Sequence, residues 1–113
     1  MNTKKAVSEE TAIRVRSIGH DEPMQFEVVV QNWSGEMHYQ VTMSHAACER
    51  LSDGNSGPEE CIRAAFLFLL DREPAESILR RFNVSVIESY FPEFPREFPR
   101  YLVAARPILP GSR

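Results

Sequence analysis

Cysteine is scarce: two in 113 residues, at positions 48 and 61, with no CxxC spacing and no denser framework. That excludes a disulfide-stapled secreted scaffold and fits a reducing compartment, so a cytoplasmic location is expected. HxxxH, HExxH, GxSxG, GxGxxG and a Walker-type loop are absent as well. The common signatures of zinc peptidases, α/β-hydrolases, nucleotide hydrolases and dinucleotide-dependent enzymes go with them. No stretch approaches the roughly 18 to 20 consecutive apolar residues of a membrane span. The first fifteen residues hold no apolar block between a basic start and a small-residue cleavage site, so neither a membrane partner nor a leader is expected. Basic charge is not in excess either: 13 Lys and Arg stand against 16 Asp and Glu, a formal net charge of −3. A strongly basic nucleic-acid binder is therefore excluded, because it would lack the electrostatic term that supplies most non-specific affinity.

What remains is ordinary globular composition, 42% hydrophobic and 26% charged. A chain of this length can bury roughly two-thirds of its surface, enough for one core without metal or disulfide. Residues 1–11 are polar and charged and read as a disordered N-terminal tail, and 107–113 read as a loose C-terminal one. The segment between, 12–106, reads as a single α+β domain. From Ala12 to Ile18, Ile13 and Val15 alternate with Arg14 and Arg16, the period of a half-buried strand. The turn residues Gly19 to Pro23 follow, then a second alternating run in which Met24, Phe26, Val28 and Val30 share a face. After Asn32-Trp33-Ser34-Gly35 a third run places Met37, Tyr39, Val41 and Met43 on one side and His38, Gln40 and Thr42 on the other. These runs predict a three-stranded antiparallel β-meander.

Three or four helices should follow and pack on one face of it. Ser44 can cap a helix over His45 to Leu51, through its hydroxyl alone because Glu49 lies too far along for a capping box. Pro58, Glu59 and Glu60 open a second helix, predicted over 58–73 and central because it is apolar on nearly every side, with Pro74 ending it. Short helices are expected near Ala75 to Phe82 and Ser85 to Phe91. The segment Phe91 to Leu102 repeats an aromatic-proline step, and Pro95 and Pro99 argue against one regular helix there. Short helical turns or polyproline-like geometry wrapped over the core are expected instead. Residues Phe68 to Pro74 are similar to the helix-ending step of several bacterial helical repeats, but over seven residues the likeness carries nothing to function.

Three constellations bear on chemistry. His45 and Cys48, one helical turn apart, could offer two ligands to a metal, with His38 or Cys61 completing a set. Against this, free cysteines on packed helices are usually small buried hydrophobes, so no metal or other cofactor is expected. As a nucleophile Cys61 is disfavoured by Glu59 and Glu60, whose charge opposes a thiolate. Charge is also uneven. Residues 1–71 carry 6 basic and 11 acidic side chains, while 72–113 carry 7 and 5. In that second part Arg72, Arg80, Arg81, Arg96 and Arg100 interleave with Phe82, Tyr90, Phe91, Phe94, Phe98 and Tyr101, a pattern used by single-stranded nucleic-acid binders, although glutamates at the same spacing also fit a solvated face.

The third constellation is the sheet. If its apolar face is covered by helices, Arg14, Arg16, Glu27, Val29, Gln31, His38, Gln40 and Thr42 form a second, uncovered face. Trp33 at the hairpin tip either folds back or anchors an interface. The expected role is a non-enzymatic binding or adaptor module, possible as a homodimer, that engages a protein partner or itself. Its interaction candidates are Trp33, His38, Arg14, Arg16, Gln40, Phe94, Arg96, Phe98, Arg100 and Tyr101. The alternative is a nucleic-acid-associated regulator using the C-terminal arginine and aromatic surface. A small metal- or thiol-dependent enzyme comes third.

Overall fold

A computed structural model describes residues 11–33, 35–52 and 56–105. Apart from Thr11, the tails expected at 1–11 and 107–113 lie outside the described residues. Three strands come first: β1 (Ala12–Gly19), β2 (Met24–Asn32) and β3 (Gly35–Met43), consecutive and antiparallel. Helices α1 (His45–Leu51) and α2 (Pro58–Leu70) follow, then a 3-10 turn (Ala75–Ser77), strand β4 (Arg81–Asn83), and helices α3 (Ser85–Tyr90) and α4 (Phe94–Ala105).

The sheet is mixed and four-stranded, in the order β1-β2-β3-β4, and not the three-stranded antiparallel meander expected. The added strand is β4, which runs parallel to β3 and pairs Arg81 to Asn83 with Gln40 to Thr42. It falls where a short helix near Ala75 to Phe82 was anticipated. Three residues give no periodicity to read; their extended geometry comes from the vacant edge of β3. There the Gln40 N–H donates to the Arg80 carbonyl at 2.8 Å and the Val84 N–H to the Thr42 carbonyl at 2.9 Å.

The alternation read in β2 and β3 is the alternation of burial. Met24, Phe26, Val28 and Val30, with Tyr39, Val41 and Met43, are buried beneath the helices. In the turn between β2 and β3, Gly35 takes φ 138°, a conformation that side chains with a Cβ rarely adopt. Helix α1 is capped by the Ser44 hydroxyl, which accepts from the Ala47 N–H at 3.0 Å. At the start of α2 the Glu60 carboxylate reaches back to the Gly57 N–H at 3.2 Å. The helix stops at Leu70, short of the expected 73: Arg72 and Glu73 both donate their N–H to the Leu69 carbonyl, tightening the last turn.

Phe66 and Phe68 of α2 organise the core. Phe66 meets the Tyr39 ring edge-on at 5.1 Å and lies 5.9 Å from Phe82. Phe68 meets Phe91, Phe94 and Tyr101 edge-on at 5.7, 4.9 and 5.5 Å. This second cluster explains why the aromatic-proline segment is helical over Phe94–Ala105, against expectation. Pro95 sits in the first turn, where its missing N–H costs nothing, and only Pro99 removes an interior hydrogen bond. Phe94, Phe98, Leu102 and Ala105 then form one buried stripe that outweighs that loss.

Helix α2 also flanks β1, an edge strand. Glu59 accepts from the Ser17 N–H at 3.3 Å, and Arg63, one turn on, donates to the Ile13 carbonyl at 3.4 Å. Side chains thus occupy backbone positions that another strand would need.

Candidate binding face

The helices cover one face of the sheet; the other is open, and pairing register arranges it in rows. Arg14, Val29 and His38 make one, Arg16, Glu27, Gln40 and Arg81 the next, and Gln25, Thr42 and Asn83 lie beyond Gly19 in the third. Gln31 and Glu36 close the opposite end. No side chain with a ring other than His38 projects from these rows.

Charges on the face are unequally matched. Arg16 is hydrogen-bonded to Glu27 across the strands, and this bond is the main reason the Glu27 carboxyl is held below its ordinary value. Arg14 reaches Glu36 at 3.6 Å and Gln31 at 3.4 Å. His38 lies between the same two carboxylates, 3.8 Å from Glu27 and 3.4 Å from Glu36. Arg80 and Arg81 make no ion pair with any described residue. Both are exposed, and the Arg80 guanidinium stands 6.0 Å from the Tyr39 ring. Two shallow depressions, of about 390 and 510 Å³, adjoin on this face and share Gln40 and Arg81.

The arginine pair is positioned from below. Buried Tyr39 donates its hydroxyl to the Ala75 carbonyl at 2.7 Å, pinning the 3-10 turn that leads into β4. Burial, above all, raises the Tyr39 pKa, so this donor stays protonated across ordinary pH. Asn83 bonds the Thr42 hydroxyl at 2.8 Å and accepts from the Ser85 N–H at 2.9 Å, fixing the far end of β4 to the start of α3.

Of the candidates expected from sequence, Arg14, Arg16, His38 and Gln40 come together on this face. Trp33 stands at the hairpin tip, 85% exposed, and does not fold back. The others lie on the helical side. Phe94 and Phe98 are buried and Tyr101 half-buried, so the rings of α4 serve the core and are withdrawn from contact. Arg100 pairs with Glu97 at 3.3 Å, and Arg96 reaches the same carboxylate at 4.0 Å. The Tyr101 hydroxyl donates to Asp71 at 2.6 Å and accepts from Arg72, which also bonds Glu93 at 3.1 Å and stacks 3.7 Å over Phe68. Burial opposes the charge of Arg72, but its bonds to Tyr101 and Glu93 prevail and raise its pKa.

The metal candidates are scattered. His45 pairs through both its ring and its backbone N–H with Glu22, whose pKa these bonds lower, the backbone one most. Cys48 lies against Cys61; burial pushes its thiol up and the bond to Cys61 offsets this in part. Among the described residues no three His, Cys, Asp or Glu side chains are grouped to hold a metal ion. Nor is any described helix long and apolar enough to cross a membrane.

The sequence places Arg80 and Arg81 in the arginine and aromatic constellation of the C-terminal part and not on the sheet, and it does not mark Gln25 or Asn83 as interaction candidates. The signal available was the doublet itself beside Phe82, but its address on the sheet follows from β4. Comparisons with protein-family models, with curated proteins and with solved structures find no match.

Proposed function

We propose that this chain is a non-enzymatic binding or adaptor module that engages a protein partner, or a second copy of itself, through the open face of its sheet. One observation carries the reading: Arg80 and Arg81 add two uncompensated guanidinium groups to a face whose two carboxylates are already taken by Arg14, Arg16 and His38. A charged group exposed without a partner gains most from an opposite charge brought to it, which favours recognition over folding. Trp33 at the margin of the face is suited to anchor an interface, being large, rigid and already exposed. Cys48 and Cys61 are not joined in a disulfide, which fits a reducing, cytoplasmic setting.

The reading is tested by a photo-crosslinking side chain placed at Gln40, on the face, or at Arg96, on α4. Adducts from position 40 and none from position 96 are expected, and native mass spectrometry of the adduct separates a second copy from another protein. Equal labelling, or labelling from position 96 alone, refutes it. A second reading, association with nucleic acid, keeps the arginine excess of the face as its support. It loses the stacking rings Phe94 and Phe98 to the core, and a shift of labelled single-stranded RNA or DNA at low salt would be its evidence.

A further inference from the structure

We infer that the free edge of β4 is the docking strand, and that its occupant is an extended polypeptide segment in which acidic and apolar residues alternate. This deepens the reading of the sheet face as a binding surface and rests on it. Three observations converge on that edge.

The first is backbone direction. The Arg80 carbonyl and the Val84 N–H point towards β3, where they are bonded. By the alternation of a strand, those of Phe82 do the same, and the N–H and C=O of Arg81 and Asn83 point away from the sheet. No described residue bonds them, whereas the opposite edge, β1, is occupied by Glu59 and Arg63. The second is what lies above the edge, on the helical side. A cleft of about 290 Å³ opens there, lined chiefly by Leu69, Ile78, Leu79, Phe82, Ile87 and Tyr90. Leu79 and Tyr90 on its rim are 50% and 65% exposed. The third is what lies below, on the open face: Arg80 and Arg81, without ion pairs.

A strand added beside β4 projects successive side chains to opposite faces. One set enters the apolar cleft and the other meets the guanidinium groups, so the complementary sequence alternates apolar and acidic residues. Glu73 at the cleft fixes which set goes where, because a register that turned carboxylates upward would bring them against it. A nucleic acid fits less well. It has no use for the cleft, and the one ring that projects from the face beside the arginines, the His38 imidazole, lies between the Glu27 and Glu36 carboxylates, which repel a phosphate backbone.

The test uses the full chain and fluorescence anisotropy with a labelled octapeptide that alternates Glu with Leu or Val. The controls are a peptide of identical composition with its acidic and apolar residues in separate blocks, and an oligothymidylate. The alternating peptide should bind at least about tenfold more tightly than either, with affinity falling as salt rises. Arg80→Glu with Arg81→Glu, and separately Leu79→Asp, should each weaken it by about tenfold or more, since all three side chains are exposed and their far-ultraviolet dichroism should stay unchanged. Should the double charge reversal perturb folding, Arg80→Gln with Arg81→Gln supplies the same comparison. N-methylation of alternate peptide bonds should abolish binding if the backbone pairs with Arg81 and Asn83. Equal affinity for the block peptide, tighter binding of the oligothymidylate, indifference to the arginine variants, or no binding of the alternating peptide overturns the inference. If position 40 still gives protein adducts in that last case, only the occupant is wrong; if it gives none, the reading of the face fails with it.

Discussion

Replacing Phe68 by alanine should detach the aromatic-proline helix from the domain it covers. The Phe68 side chain is fully buried, and three rings from Phe91, Phe94 and Tyr101 close on it at 4.9 to 5.7 Å, with the Arg72 guanidinium stacked at 3.7 Å. Truncating a buried phenylalanine costs about 3–5 kcal/mol, the upper end applying where the walls cannot collapse. Edge-to-face pairs and a desolvated cation–π contact each add about 1 kcal/mol to what the ring contributes by area alone, which places this site near 4–5 kcal/mol. A domain of this length has about 6–17 kcal/mol in all, so the variant should still fold but melt about 20 °C lower. Phe68→Leu, which keeps most of the volume, should cost about 1–2 kcal/mol. Urea unfolding followed by far-ultraviolet dichroism measures both. Tryptophan emission is the wrong probe, because Trp33 is already exposed in the native state and should change little on unfolding. A cost below about 2 kcal/mol for Phe68→Ala would refute the argument that this ring offsets the prolines of α4.

Other expectations are more local. Tyr39→Phe leaves the Ala75 carbonyl without its donor and should cost about 1–2 kcal/mol by denaturant titration, with a looser Leu79 to Arg81 segment seen as faster amide exchange there. Pro99→Ala restores an interior hydrogen bond on an exposed position of α4 and should raise stability by about 1–2 kcal/mol in the same titration. Trp33→Ala should change stability by less than about 0.5 kcal/mol, since its side chain touches so little, while weakening partner adducts from position 40. The carboxyls of Glu22 and Glu27 are depressed, chiefly by the His45 N–H and by Arg16 respectively, from an ordinary value of 4.5. A depressed folded pKa gives stability that is present above the unfolded value and is lost as pH falls through the folded one. The melting temperature should therefore decline below about pH 5, and Glu22→Gln with Glu27→Gln should flatten that decline; an unchanged slope would contradict it.

Much of the fold could be read before any coordinates, and the reason is physical. Strands β2 and β3 each have one face in the core and one in water, so Met24, Phe26, Val28 and Val30 announce their register by polarity alone. The starts of α1 and α2 were legible in Ser44, Pro58 and Glu60, whose local bonds act within one turn. Strand β4 was not, because its identity resides in an edge forty residues away. Helix α4 was misread because a proline's penalty is local and visible, whereas the burial of Phe94, Phe98 and Leu102 that overrides it depends on Phe68. The candidate face shows the same division. Arg14, Arg16, His38 and Gln40 came from strand periodicity, while Arg80 and Arg81 needed the long-range pairing that delivers them.

The side chains of Glu59 and Arg63 along β1 bear on stoichiometry. With that flank occupied and the flank at β4 bare, the sheet can be lengthened in one direction only. Two copies that met there would do so about a twofold axis, each using up the other's single growing end, and a third could not join. An assembly built by extending the sheet at β4 would then close at two copies, because Glu59 and Arg63 already bond backbone groups of β1.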